Sequence, residues 1–237
     1  MSSGVFTMKG SATVTPSTGG DANKPGKNDV YLPVNATITI KGNLIPEDGG
    51  TAARITVPND NYQTGTKVLK GSAVSTEYRK FTVTPKGSEH WTVKSDGTLS
   101  NTLADIFANI TKDQIEAEIG AANSAMVYTE GETINPTTIL NGKLVLYKTR
   151  AQGHFNYGIM HVTEVNNSGG GHIKFNYKTF RTYSNNTLQN SGEVVNGDAN
   201  FDLDSGGSGA SGNDFHLGTA ASQFKILDNA TFYILPN

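Results

Sequence analysis

Three apolar, aromatic and β-branched runs separated by short glycine-bearing loops constrain this chain more than any other stretch. They are Lys143–Thr149 (KLVLYKT), His154–Val165 (HFNYGIMHVTEV) and His172–Ser184 (HIKFNYKTFRTYS). The separators, Arg150–Gly153 and Asn166–Gly171 (NNSGGG), hold glycines that reach the positive φ angles hairpin loops need. The pattern predicts an antiparallel meander. Phe155, Tyr157, Ile159 and His161 share one parity of the second run, and Ile173, Phe175 and Tyr177 share one parity of the third. An aromatic sheet face is therefore expected to be buried.

The flanking segments also read as β. Val5–Thr15 alternates as a strand, with Gly10 in register for a bulge, and Tyr31–Lys41 alternates again behind Pro33. Between them Pro16–Asp29 lacks apolar periodicity and is crowded with Gly, Pro, Asn and Asp, which predicts a long exposed loop or arm suited to contacts. Glu47–Gly50 is turn chemistry. Arg54–Val57, Lys67–Leu69, Ala73–Val74, Lys80–Thr84 and Trp91–Lys94 are short strand candidates, and Asp96-Gly97 marks a tight turn after them. The spacing suits a sandwich, and no internal repeat of fixed period is seen.

The period then changes. Leu103, Ile106, Phe107 and Ile110 fall on one helical stripe, and Thr111-Lys-Asp-Gln114 is a capping box for a second helix with Ile115, Ile119 and Ala122 on its apolar face. Beyond it, Met126–Thr129 is strand-like, and Thr137–Leu140, Asn141-Gly142 and Lys143–Tyr147 read as a hairpin that feeds the meander. Glu193–Val195, Ala199–Leu203, Phe215–Leu217, Phe224–Leu227 and Thr231–Leu235 follow, the last apolar enough to be pinned inside a sheet. Ser205–Gly212 is flexible by composition. The fold expected is mainly β, with two antiparallel sandwich-like halves, residues 1–99 and 126–237, joined by a helical connector or cap over 100–125.

Composition narrows the function classes. Lys plus Arg is 19 against 21 for Asp plus Glu, a net charge of −2 without a basic stripe, so nucleic acid is not expected as a partner. No apolar run approaches the roughly 20 residues of a membrane span. The count of cysteines is 0, which removes disulfides and thiolate chemistry. The first residues, MSSGVFTMKG, do not read as a secretory signal, so either a signal has been removed or the protein is made without one.

The sharpest chemical pattern is Asp198-Ala-Asn200-Phe-Asp202-Leu-Asp204, four oxygen-bearing side chains at alternate positions. Calcium takes such ligands, although Leu203 stands where an EF-hand loop needs glycine and Gly209 where it needs glutamate. The competing reading is a strand with Phe201 and Leu203 inward and its carboxylates outward. The five histidines, His90, His154, His161, His172 and His216, show no metal-ligand spacing. No nucleophile elbow or phosphate-binding loop is present, so no other cofactor and no catalytic residue is expected. Trp91, Tyr62 and Tyr183 fall near turns or strand ends, where a flat ring can stack on a sugar. Packing on sheet edges competes with that role.

The chain is accordingly expected to be a non-enzymatic structural or interaction protein in an extracellular assembly, such as a phage virion decoration, tail or fibre component. It would associate with itself or with other structural subunits. The alternative is a secreted or surface bacterial protein that binds a ligand, a glycan in particular, and has lost its signal peptide.

Overall fold

Through the first part of the chain, strands of only two to seven residues pair in parallel with the strand two places further on. The computed structural model describes residues 6–15, 20–27, 29–46, 50–87, 89–122, 124–207 and 212–236. It is mainly β, and the chain separates into two units, Met1–Gln114 with Pro236–Asn237, and Ile115–Leu235. Among the described residues no helix is long and apolar enough to cross a membrane.

In the first unit the strands are β1 (Phe6–Gly10), β2 (Val30–Tyr31), β3 (Ile38–Leu44), β4 (Ala53–Thr56), β5 (Leu69–Lys70) and β6 (Phe81–Val83). They alternate between two parallel three-stranded sheets, β1-β3-β5 and β2-β4-β6, so the chain winds through three successive layers. Phe6, Ile38 and Leu69 stand in register in one sheet, and Val30, Ile55 and Val83 in the other. Loops join the ladder. The Val14 amide donates to the Ala52 carbonyl at 2.8 Å, and the Ala52 amide to the Lys80 carbonyl at 2.6 Å. Like residues stack through the interior, where Ile38, Ile40, Ile55 and Leu69 are all at 0% exposure. Each such side chain stabilises by roughly 1.5–3 kcal/mol.

Parallel pairing here departs from the antiparallel expectation. The register partners are unevenly spaced, which hides the layers from any search for a fixed period. The expected strand over Tyr31–Lys41 is broken: the Ala36 amide turns back to the Pro33 carbonyl at 2.9 Å and Asn35 takes φ 65°, carrying the chain from one sheet to the other. Ala73–Val74 opens a helical turn, α1 (Val74–Glu77), instead of a strand. The arm expected over Pro16–Asp29 is folded back where it is described. The Ala22 amide donates to the Pro85 carbonyl at 2.8 Å, and the Asp29 carboxylate accepts from Gly26 N and Thr84 Oγ1. Residues 16–19 and 28, and most of the turn expected at Glu47–Gly50, lie outside the described residues.

A hairpin of β7 (Thr92–Val93) and β8 (Leu99–Ser100) caps the β5 edge at one end of the stack. Its turn carbonyl at Gly97 accepts from Val68 N and Leu69 N at 2.9 and 3.0 Å. At the other end, among the described residues, no strand pairs with the outer edges of β1 and β2. Helix α2 (Leu103–Asn109) is capped by Thr102 Oγ1, which accepts from Asp105 N. Helix α3 (Lys112–Ala121) opens with the predicted reciprocal box, Gln114 N to Thr111 Oγ1 at 3.3 Å and Thr111 N to Gln114 Oε1 at 2.7 Å.

The second unit is antiparallel. Strands β9 (Val127–Thr129), β10 (Thr133–Ile134), β11 (Leu144–Ala151), β12 (His154–Asn166), β13 (His172–Arg181) and β14 (Asn186–Asn196) are followed by β15 (Ala199–Phe201), β16 (Phe215–Leu217), β17 (Phe224–Ile226) and β18 (Thr231–Ile234). The predicted meander is the middle of a six-stranded sheet, β14-β13-β12-β11-β18-β9, with the final strand β18 inside it. A four-stranded sheet, β10-β17-β16-β15, shares its core. Val145, Tyr147, Met160, Val162, Phe175 and Tyr177 from the first meet Phe201, Phe215 and Phe224 from the second, with Phe215 and Phe224 stacked at 4.3 Å.

The buried aromatic face pairs Phe175 with Val162 and Tyr177 with Met160, so Tyr157, Ile159 and His161 lie on the opposite face. A register shift between Val162 and Glu164 contributes to that phase, which parity within one strand does not reveal. Thr137–Leu140 is not half of a hairpin. Asn135 Oδ1 accepts from Thr137 N and Thr138 N, and Pro136 sits at the first position of α4 (Pro136–Ile139), a helix-start chemistry that outweighs the Asn-Gly pair.

Gly97 (φ 82°) and Gly71 (φ 116°) lie where an added Cβ would run into the Leu69 and Ile40 carbonyls, whereas Gly65 (φ 96°) faces open space. Urea denaturation should show Gly97→Ala and Gly71→Ala losing about 2 kcal/mol or more, and Gly65→Ala losing less. Glu77 is 5% exposed and accepts from Leu44 N at 2.9 Å and from Lys80 Nζ at 2.7 Å. Burial raises its pKa, but the Lys80 and Leu44 hydrogen bonds together hold it below the ordinary value. Its contribution is therefore present above the ordinary glutamate pKa and lost as pH falls through the lowered one. Glu77→Gln should cost about 1–3 kcal/mol at neutral pH, with the gap to the parent closing in acid melts.

Candidate functional site

A seam of buried polar groups runs along one end of the second unit's main sheet. The Tyr147 hydroxyl lies 2.7 Å from Thr179 Oγ1, which donates to the Leu203 carbonyl at 2.6 Å. One alternation further along β11, Thr149 Oγ1 donates to Asp204 Oδ1 at 2.7 Å, and Asn156 Nδ2 on β12 donates to the same oxygen at 3.0 Å. Arg181 Nε donates to the Asp204 main-chain carbonyl at 2.7 Å. Three neighbouring strands thus hold the turn that follows β15.

The turn is tied internally as well. Asp202 Oδ1 accepts from Asp204 N and Ser205 N, and its Oδ2 from Ser205 Oγ. Antiparallel pairing of Phe201 with Phe215 then sets the next residue out on each strand, Asp202 and Asp214, side by side. Asp214 Oδ2 accepts from Leu203 N at 2.7 Å. One carboxylate oxygen each from Asp202, Asp204 and Asp214 lies within 4.8 Å of the others. Asp214 is 1% exposed and Asp204 4%, while Asp202 is half-buried. Burial first, and then the charge of Asp204, push the Asp214 carboxyl well above its ordinary range. Burial also raises Asp204, against the lowering effect of its Thr149 and Asn156 hydrogen bonds.

This trio revises the ligand set expected from the alternating acids. Asp202 and Asp204 belong to it, but Asp198 and Asn200 turn to His216, whose Nδ1 lies 2.8 Å from Asn200 Oδ1 and whose Nε2 lies 3.8 Å from Asp198 Oδ1. Phe201 and Leu203 point inward as the strand reading required, at 3% and 0% exposure. Asp214 lies beyond the glycine-rich loop in sequence and carries no local signal. Only pairing of β15 with β16 would have found it. Part of that loop, residues 208–211, lies outside the described residues.

The aromatic residues proposed for sugar stacking are divided between the two units. Tyr62 and Trp91 are buried in the core of the first unit and meet edge to face at 5.6 Å, and burial pushes the Tyr62 hydroxyl up to about 12. Tyr183 is in the second unit, just beyond β13. His161 is lowered by burial, and His172 pairs with Glu164 at 3.2 Å. Among the described residues no histidine joins the acid trio. No family model matches the chain, and comparison with curated proteins and with solved structures gives no match.

The seam makes Asp204 a sensitive point. Thr149→Val keeps the shape and removes one of two donors to a buried carboxyl, so chemical denaturation should show a loss of about 1–3 kcal/mol.

Proposed function

We propose that this chain is a non-enzymatic structural or interaction protein that works in an assembly of copies, of the kind found in extracellular structures such as virions. One observation carries the reading. The layered stack of the first unit is capped at its β5 edge by the Gly97 hairpin and, among the described residues, unpaired along both β1 and β2 at the other end. Unpaired strand edges present rows of amides and carbonyls that template pairing with another chain. Exposed apolar side chains gather in the same layer: Phe6 on β1 at 39%, Tyr31 on β2 at 53% and Val34 just beyond it at 60%. Ile45, at 63%, is bonded to that layer through its amide on the Gly10 carbonyl.

The partner that fits is a second copy presenting the same end. With the β5 edge of the opposite end already capped, head-to-tail growth is disfavoured, so the expected product is a discrete oligomer with a self-complementary contact. The glycan-binding alternative loses support because Tyr62 and Trp91 are spent on the core.

Light scattering on the full chain should give a mass above that of the monomer. The double change Phe6→Lys, Tyr31→Lys alters exposed side chains only and should give a monomer with unchanged melting. A parent chain that stays monomeric up to about 100 µM, well above the dissociation constants of stable complexes, would end the assembly reading. An oligomer indifferent to the double change would keep assembly and remove this edge as its site.

A further inference from the structure

The carboxylates of Asp202, Asp204 and Asp214 leave an account open that the surrounding protein does not close. Asp214 is 1% exposed, yet its side chain receives one hydrogen bond, from Leu203 N to Oδ2, and no described residue donates to its other oxygen. Asp204, at 4%, has both of its side-chain donors on Oδ1, which leaves Oδ2 without one among the described residues. A carboxylate offers about four lone-pair sites, so each of these groups is far from satisfied. An opposing charge reaches Asp204 from Arg181, with less effect than burial or the Thr149 and Asn156 hydrogen bonds. Among the described residues no lysine, arginine or histidine forms an ion pair with any of the three, and the nearby Arg181 directs its Nε to the Asp204 main-chain carbonyl. Asp228 adds a further negative charge acting on Asp214. Buried carboxylates are retained in proteins when something pairs with them or coordinates them.

We propose that Asp202, Asp204 and Asp214 together bind a divalent cation of the calcium type. The donors are all oxygens, with no imidazole or thiolate, which suits a hard cation over zinc or copper. Oxygens within 4.8 Å of one another can be spanned by an ion that holds each at 2.3–2.6 Å. The buried Asp214 separates this group from an ordinary acidic surface. Its position, opposite Asp202 across the β15–β16 pair, means the ion clips the turn after β15 to the start of β16. The binding set differs from the one that the alternating acids suggest, since Asp198 and Asn200 are engaged with His216.

The test uses the full chain stripped with EDTA and then titrated with calcium chloride, read by thermal melting and by isothermal titration calorimetry. Saturable binding of one ion per chain is expected, with a rise in melting temperature of about 5 °C or more once the ion is in large excess. Asp214→Asn should abolish both signals, whereas Asp198→Asn should leave both intact. If Asp214→Asn does not fold, Asp202→Asn, at the half-buried member, should weaken binding at least tenfold. No heat and no melting shift at about 10 mM calcium, above the range of weak protein calcium sites, would overturn the proposal. Calcium binding lost in Asp198→Asn and kept in Asp214→Asn would overturn it as well.

Discussion

Main-chain hydrogen bonding between layers is what the first unit depends on. A strand of two residues such as β2 or β5 satisfies almost none of its polar backbone alone, and an unpaired buried amide or carbonyl costs about as much as several good contacts return. Stacking in register solves this layer by layer, and the bonds from Val14 to Ala52 and from Ala52 to Lys80 extend the solution into the loops. The same requirement brings the layers so close at Gly71 and Gly97 that the neighbouring carbonyls leave no room for a Cβ. It also explains why one end of the stack matters. Where the Gly97 carbonyl accepts from Val68 and Leu69 the β5 edge is terminated, and among the described residues no strand terminates the edges of β1 and β2.

The second unit meets the same requirement with long antiparallel strands, and its tension lies in charge. Aromatic packing around Phe175, Phe201 and Phe215 fixes β15 and β16 against the meander. Once Phe201 faces Phe215, the flanking aspartates are forced together, whatever electrostatic penalty results. Thr149 and Asn156 relieve part of that penalty by donating to Asp204 Oδ1. Like charges in a low-dielectric pocket repel strongly, so a fold that keeps such a group gains most when a cation enters with it.

Part of the fold could be read from residues alone. The meander, the inward placement of the last strand and the capping box at Thr111 rest on contacts between residues close in sequence, or on apolar character so dense that only burial accommodates it. Gly10 was likewise legible, since the register of β1 shifts between Met8 and Gly10. The failures share a cause. Tyr31–Lys41 alternates like one strand, but Pro33 and Asn35 make a corner that hands the chain to a second sheet. Residues 137–140 end at an Asn-Gly pair, yet the cap at Asn135 with Pro136 behind it is the stronger local device. Of the acid trio, Asp202 and Asp204 stood out by alternation, and Asp214 did not.

Local chemistry settled which segments are strands, where helices start and which side chains are apolar enough to be core, because those properties depend on neighbours one to four residues apart. Pairing partners were settled elsewhere. Parallel or antiparallel sense in the first unit, the face that Tyr157 and His161 occupy, and the meeting of Asp214 with Asp202 depend on register between strands far apart in the chain. Register is chosen by the summed packing of a whole sheet, and a shift of one residue reverses every side chain in it. No single stretch of residues contains that sum.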